Sequence, residues 1–172
     1  MIIKELRDED FVNYKKPSMF IAFPSCSWKC EKECGMRVCQ NSALATAPNI
    51  EIDIDKLVDR YITNPITKAV VIGGLEPFDN AHDLINLINA IRAKTNDDIV
   101  IYTGYTEDEI KEMSYTTHYT WGKQKYSYFG YIAKHPNIII KYGRFRPNQQ
   151  PHYDEVLGVK LASDNQYGKR IS

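Results

Sequence analysis

The chain has 172 residues, of which 43% are hydrophobic, and its 22 basic and 22 acidic side chains give a formal net charge of zero. A chain of this length can bury a sizeable core, so we expect residues 1–172 to form a single domain, and the lack of a basic stripe predicts no nucleic-acid partner. No apolar run is long enough to cross a bilayer, which argues against a membrane-spanning protein.

The first well-defined strand is predicted at residues 18–23, a short apolar run that Pro24 closes. The mixed segment 2–11 before it favours an edge strand or a leading arm. In α/β proteins, the loops that follow the carboxyl ends of parallel strands form the functional sites. The strand therefore delivers the next segment, the cysteine loop of residues 25–41, to an edge where a site is expected.

The cysteine loop holds all four cysteines of the chain within fourteen residues. A buried cysteine packs as a small hydrophobic side chain, so core packing does not explain such a cluster. The N-terminus is charged within its first four residues and resembles no signal peptide, which predicts a cytoplasmic, reducing compartment where disulfides are rare. We therefore expect a metal ion or an iron–sulfur cluster on these thiols, which belong to Cys26, Cys30, Cys34 and Cys39.

The spacing of the thiols leaves two kinds of metal site open. Three, three and four residues separate consecutive cysteines on one loop, whereas zinc sites usually combine closely spaced pairs of ligands from two separate segments. A single loop can instead wrap a cuboidal cluster, and three thiolates leave the fourth iron open to bind a ligand. A non-enzymatic, four-cysteine zinc-binding module is the alternative.

Strands and helices alternate along the rest of the chain. The predicted strands are continuous apolar runs, which is typical of strands buried in a parallel sheet. The alternation predicts an α/β fold with a mostly parallel sheet and helices on its outer face. The strands are predicted at residues 18–23, 68–72, 98–102 and 137–141, and the helices are predicted to start after Asp53 or Asp55, near Asn80 and after Thr106.

Two strand-to-helix turns carry residues suited to a site. The second strand runs into Gly73-Gly74-Leu75-Glu76-Pro77, where the glycines allow a sharp turn and close approach of the backbone to a ligand. The third strand runs into Thr103-Gly104-Tyr105, and Thr106 with Glu109 predicts a capping box for the following helix. Taken singly, a double glycine is usually just a turn, and the capping box alone explains Thr106 and Glu109.

The segment 113–135 departs from the alternating pattern. It is rich in aromatic and hydroxyl side chains and lacks a clean period, which predicts a long loop or an irregular helix that covers the sheet. Tyr and Trp are enriched at interface hot spots, so a partner-binding surface is one interpretation. A lid of packed aromatic side chains is the other.

Taken together, these motifs resemble the radical S-adenosylmethionine enzymes. Cys39-Gln40-Asn41 is similar to the Cys-His-Asn ending of the cluster loop in glycyl-radical-enzyme activases, and residues 73–77 resemble the Gly-Gly-Glu-Pro element of that family. The turn at 103–105, Gly143-Arg144-Phe145 and the tail at 163–166 follow in the family's order. The resemblance implies a short, open, partial version of the radical-enzyme β/α barrel.

The resemblance also implies a 4Fe-4S cluster held by three cysteines and S-adenosylmethionine as the second cofactor. It favours Cys26, Cys30 and Cys39 as ligands, but the family's shorter spacing leaves Cys34 open as the third ligand instead of Cys39. The backbone of the glycine turn would contact the amino group of S-adenosylmethionine. The residues that the resemblance places beside this cofactor are Asn41, Gly73, Gly74, Glu76, Pro77, Thr103, Gly104 and Tyr105.

The activity implied by the resemblance is that of an anaerobic oxidoreductase, similar to the activating proteins of anaerobic ribonucleoside-triphosphate reductases. Such proteins cleave S-adenosylmethionine reductively and use the 5′-deoxyadenosyl radical to generate a glycyl radical on a large reductase subunit. That subunit is the implied partner, and a flavodoxin or ferredoxin is the implied electron donor. A radical S-adenosylmethionine enzyme acting on another peptide or on a small molecule is the alternative.

Overall fold

The structure is a computed structural model that describes residues 1–119 and 122–172. Its strands are β1 (Ile2–Ile3), β2 (Glu5–Asp10), β3 (Ser18–Phe23), β4 (Ile50–Glu51), β5 (Ala69–Gly74), β6 (Asp98–Tyr102), β7 (Ser114–Tyr119), β8 (Gly122–Ser127), β9 (Ile138–Tyr142), β10 (His152–Asp154), β11 (Val159–Leu161) and β12 (Tyr167–Arg170). Its helices are α1 (Lys29–Cys34), α2 (Ser42–Thr46), α3 (Ile54–Thr63), α4 (Ala81–Arg92), α5 (Glu107–Glu112) and α6 (Tyr128–Ile132), with a 3-10 turn at Pro77–Asn80.

The centre of the molecule is a six-stranded sheet in the order β12-β9-β6-β5-β3-β2. The four inner strands, β3, β5, β6 and β9, pair in parallel, whereas β2 and β12 add antiparallel edges. The predicted α/β architecture with a mostly parallel sheet is therefore confirmed. Within the described residues β2 and β12 do not pair with each other, so the sheet is open, and the partial barrel stays a prediction.

The two faces of the sheet have different covers. Successive residues of a strand point to opposite faces, so Ile21 of β3 packs in the core shared with α3, α4, α5 and α6, while Phe20 and Ala22 face the other way. That second face is covered by Tyr14 from the loop after β2 and by Leu157 from the segment before β11. Helices α3 to α6 thus cover one face, and loop segments together with Leu44 of α2 and Leu161 of β11 cover the other.

Two predicted helix starts are confirmed by their capping contacts. Asp53 Oδ1 accepts a hydrogen bond of 3.0 Å from Lys56 N, so α3 begins after Asp53 rather than after Asp55. Thr106 and Glu109 form the reciprocal capping box predicted for α5. No helix in the described ranges is long and apolar enough to cross a membrane.

The prediction of a loop or irregular helix at 113–135 was wrong for most of that segment. β7 and β8 pair as an antiparallel hairpin, from Ser114 opposite Ser127 to Tyr119 opposite Gly122, and α6 follows directly. Thr and Tyr favour strands, but no face of this hairpin is consistently apolar in sequence, so the period of two is hidden. Residues 120 and 121 lie outside the described residues, as do the side chains of 115–119 and 122–125, and both functional interpretations of the segment remain predictions.

Candidate functional site

A cleft of about 390 Å³ lies at the carboxyl ends of the parallel strands. Its lining comes from the cysteine loop, from the ends of β5, β6 and β9, from the loop after β2 and from residues around β11. Three of the predicted site residues, Cys34, Pro77 and Tyr105, are not part of this lining. Those that do line the cleft are Cys26, Cys30, Cys39, Asn41, Gly73, Gly74, Glu76, Thr103 and Gly104.

Cys34 is the one cysteine that does not line the cleft. Cys30 and Cys34 stand one turn apart on the short helix α1, which ends at Gly35 in a left-handed conformation with φ of 67°. Both cysteines line a second cavity of about 410 Å³, but only Cys30 also lines the cleft. All four thiols are free and partly buried. Cys26, Cys30 and Cys39 therefore share one cleft, while Cys34 faces the neighbouring cavity.

The three thiols of the cleft are in surroundings that favour their protonated form. Burial raises the pKa of Cys26 to about 11, and the Trp28 N–H, which donates to Cys26 Sγ at 3.2 Å, opposes this rise. Burial also raises the pKa of Cys30 and of Cys39, and the positive charge of Arg144 acts against it at Cys30. Iron binds thiolates, so uptake of a metal must displace these protons.

Asn41 connects the end of the cysteine loop to the glycine turn. Its Nδ2 donates a hydrogen bond of 2.7 Å to the carbonyl oxygen of Gly74. Gly74 has φ of 84°, and a Cβ at this position would lie 2.6 Å from the Cβ of Ala22 on β3. Only glycine fits here, because both the conformation and the approach of β3 exclude a side chain.

Backbone hydrogen bonds pair the glycine turn with the start of the cysteine loop. Leu75 N donates to Phe23 O at 3.3 Å, and Glu76 N donates to Ser25 O at 2.9 Å. The turn therefore continues beside the incoming loop. Gly73, Gly74 and Leu75 all line the cleft.

Glu76 is a buried carboxylate that organises the second turn of the site. Its side chain accepts hydrogen bonds from Thr103 Oγ1 at 2.8 Å, from Gly104 N at 2.9 Å and from Phe78 N at 3.1 Å. Burial raises the pKa of Glu76 to about 7, although these three donors oppose the rise. Its hydrogen bonds join the turn after β5 to the turn after β6.

Pro77 and Tyr105 support the site from outside the cleft. Pro77 is buried at the start of the 3-10 turn. The Tyr105 hydroxyl donates to the carboxylate of Asp79 and lies 3.3 Å from Ser27 Oγ, while the Asp79 carboxylate also accepts from Ser27 N. These contacts hold the first part of the cysteine loop against the turns after β5 and β6.

Lys141 places a buried cation in the cleft. The residue is only 7% exposed, and its Nζ donates to Gly143 O at 2.8 Å. Within the described part of the chain, no carboxylate lies within ion-pair distance of this ammonium. Burial lowers the pKa of Lys141 to about 8. A buried ammonium without a carboxylate suits a site whose ligand carries a negative charge.

Other lining residues were not predicted from the sequence. Phe20 and Tyr102 line the cleft from the face of the sheet opposite the helices, and Tyr102 OH donates to Asn13 O at 2.6 Å. Strand alternation alone could have placed Phe20 and Tyr102 on the face shared with Lys141. No sequence signal marks Asn13 or the segment 159–162, which reach the cleft through tertiary packing.

The residues of the cleft fit an iron–sulfur cluster. Thiolates are the usual ligands of such clusters, and Cys26, Cys30 and Cys39 approach the cleft from one loop. A Cβ on Gly104 would lie 3.4 Å from Cys30 Sγ, so glycine keeps the space beside this thiol free. In the described ranges, no three histidine, cysteine or carboxylate side chains form a site for one metal ion.

Comparison with known families assigns the chain to an iron–sulfur class. A family described as a 4Fe-4S single cluster domain matches residues 18–140, which run from the first residue of β3 into β9. A search of curated proteins gave no match. The matched region includes the whole cysteine loop and both turns of the cleft, so the chain belongs to the 4Fe-4S single cluster domain family.

Proposed function

We propose that this protein is a radical S-adenosylmethionine activase that generates a glycyl radical on an anaerobic ribonucleotide reductase subunit. The observation that carries the proposal is the shared cleft, which is lined by three thiols and by the glycine turn, and in which Asn41 of the cysteine loop donates a hydrogen bond to Gly74. When bound, the reduced cluster supplies the electron that cleaves S-adenosylmethionine into methionine and a 5′-deoxyadenosyl radical.

The chain's own residues supply binding and orientation in this proposal. Cys26, Cys30 and Cys39 hold the cluster, and the glycine turn presents backbone groups to the amino end of S-adenosylmethionine. Lys141 faces the same cleft with an ammonium that has no carboxylate partner among the described residues. We assign it to the carboxylate of the cofactor, because a charge-assisted hydrogen bond would satisfy a donor that is buried there.

The size of the cleft favours a protein substrate. At about 390 Å³, it lies near the lower end of ligand pockets, which span about 300–1,000 Å³. A nucleoside-sized cofactor would take up most of this space. The proposed substrate therefore enters with a small group, the Cα of a glycine, while the rest of its chain stays outside the cleft.

A labelling experiment tests the proposal. The protein is reconstituted anaerobically with iron and sulfide and mixed with S-adenosylmethionine, a flavodoxin or ferredoxin reducing system and an anaerobic reductase subunit labelled with α-deuterated glycine. We expect a glycine-centred radical by electron paramagnetic resonance and transfer of deuterium into 5′-deoxyadenosine. Cleavage of S-adenosylmethionine without radical or deuterium transfer would instead favour another peptide or a small-molecule substrate.

A further inference from the structure

We propose that Arg144 is a positioning residue that holds the helix carrying Cys30 and makes the cluster easier to reduce. The inference deepens the proposed function and rests on its assignment of Cys30 as a cluster ligand. It concerns the cluster itself, so it can be tested without S-adenosylmethionine or a partner protein.

Arg144 joins three parts of the molecule. It follows β9, and its guanidinium donates two hydrogen bonds to Glu109 on α5, at 2.8 and 2.6 Å. Its Nε also lies 3.3 Å from Glu33 Oε1 on α1, the helix that contains Cys30. A two-point contact to a carboxylate fixes orientation as well as distance. Arg144 is therefore held firmly to α5, and an ion pair with the half-exposed Glu33 side chain links it to α1.

The arginine lies beside the thiol it would influence. Arg144 and Cys30 line the same second cavity and the same small cavity beneath the loop. A Cβ on Gly104 would lie 3.4 Å from Cys30 Sγ and 3.5 Å from Arg144 Cγ, which places both side chains against one glycine. The Arg144 side chain is only 8% exposed, so water screens its charge weakly.

The direction in which Arg144 shifts the reduction potential of the cluster follows from its charge. Reduction adds one electron to the cluster, and nearby positive charge stabilises the more negative product. Arg144 contributes such a charge, whereas Glu109 and Glu33 oppose it. Removing the arginine takes away this cation and leaves the charges of the two carboxylates unopposed, so reduction becomes harder. Removing the charge of Glu109 has the opposite effect.

Redox titration of the reconstituted holoprotein tests this inference. The reduced cluster is followed by electron paramagnetic resonance while the potential is set with dithionite and mediator dyes. We expect Arg144→Gln to shift the midpoint potential to a more negative value and Glu109→Gln to shift it to a less negative one. Arg144→Lys keeps the charge and should stay near the wild-type potential. Arg146→Gln, which removes an exposed arginine that lines the same second cavity, should leave the potential unchanged.

Opposite shifts separate an electrostatic role from a purely structural one. Arg144→Gln and Glu109→Gln both disrupt the same contact, so loosening of α1 alone would move their potentials in the same direction, and that result would overturn the inference. If Arg144→Gln holds no cluster, the Glu109→Gln shift decides, and an unchanged or more negative potential in that variant overturns the inference. A normal set of shifts without cleavage of S-adenosylmethionine would leave this inference standing and refute the proposed function.

Discussion

Asn41 Nδ2 lies 2.7 Å from the carbonyl oxygen of Gly74, and this hydrogen bond joins the cysteine loop to the end of a central parallel strand. The two residues are 33 positions apart in the chain. Gly74 presents its carbonyl in a left-handed conformation that brings the backbone against β3. The geometry of the cleft therefore depends on a glycine at this position.

Replacement of Gly74 by alanine should destabilise the fold much more than replacement of Gly35. Both glycines have positive φ, which costs a residue with a Cβ roughly 1–2 kcal/mol. At Gly74 the new Cβ would also lie 2.7 Å from Ala22 Cα, so overpacking raises the loss to roughly 2–5 kcal/mol. At Gly35 it would meet nothing within 4 Å. Urea unfolding of the two variants measures the difference, and equal losses would refute the close approach of β3.

Replacement of Cys34 by serine and replacement of Cys39 by serine should have different effects on the iron and sulfide content of the protein. Cys39 lines the cleft with Cys26 and Cys30, whereas Cys34 lines the second cavity and not the cleft. We predict that Cys34→Ser retains the wild-type content of iron and sulfide after anaerobic reconstitution and that Cys39→Ser loses most of it. Cys26→Ser serves as the reference for loss of a proposed ligand that both assignments share. Normal iron content in Cys39→Ser and loss in Cys34→Ser would reverse the assignment.

Glu109 should stabilise the protein in a manner that depends on pH. The two hydrogen bonds from Arg144 hold the pKa of Glu109 at about 2, below the ordinary value of 4.5. Between these values the unfolded chain binds more protons than the folded one, so this contribution is present above pH 4.5 and is lost as the pH falls towards 2. The side chain is partly exposed, so water screens part of this interaction. We expect Glu109→Gln to lower the free energy of unfolding by about 1–3 kcal/mol at neutral pH.

Unfolding curves for wild type and Glu109→Gln at neutral pH and at successively lower pH measure this contribution. The difference in the free energy of unfolding should shrink once the pH falls below 4.5. Glu107→Gln is a useful comparison, because Glu107 is also paired with lysines but makes no contact with Arg144 in the described structure. A Glu109→Gln difference that does not change with pH would contradict the assigned cause.

Lys141→Met should weaken cofactor binding without weakening the cofactor-free fold. The ammonium is buried without a carboxylate among the described contacts, so removal of its charge relieves a desolvation cost. Its pKa of about 8 lies below the ordinary 10.5, so the unfolded chain binds more protons between these values and wild-type stability rises with pH there. The variant should lack this rise.

Loss of the proposed Lys141 contact to the carboxylate of S-adenosylmethionine should lower affinity at least about tenfold, since hydrogen bonds to charged groups contribute roughly 1.5–3 kcal/mol. Equilibrium dialysis with the reconstituted protein measures this affinity. Lys160→Met is the matched control, because Lys160 also lines the cleft but is exposed. Similar affinities of the two variants for S-adenosylmethionine would refute the proposed contact of Lys141 with this cofactor.

The sequence predicted the parts of the fold that depend on local pattern. Continuous apolar strands and the Thr106–Glu109 capping box are local signals, and all four predicted strands and the start of α5 are present. The hairpin of β7 and β8 was missed because its residues show no regular apolar face. Local pattern could not choose between Cys34 and Cys39, because spacing does not tell which way a thiol on a short loop points.

Tertiary packing explains the rest of the site. Asn13 reaches the cleft because the loop after β2 folds over the sheet, and the Tyr102 hydroxyl holds it there. In the sequence, Arg144 is marked only as part of the motif Gly143-Arg144-Phe145. Its role depends on Glu109 and Glu33, which lie 35 and 111 positions away, and no periodicity connects such residues.

The most direct test of the proposed chemistry is formation of 5′-deoxyadenosine. Anaerobically reconstituted wild-type protein is reduced with dithionite, mixed with S-adenosylmethionine and analysed by chromatography with mass detection, beside Cys39→Ser and an unreduced sample. We predict 5′-deoxyadenosine and methionine in equal amounts from the reduced wild type and neither product from the two controls. A wild-type cluster that is fully reduced, with S-adenosylmethionine bound, and still yields no 5′-deoxyadenosine would contradict the proposed function.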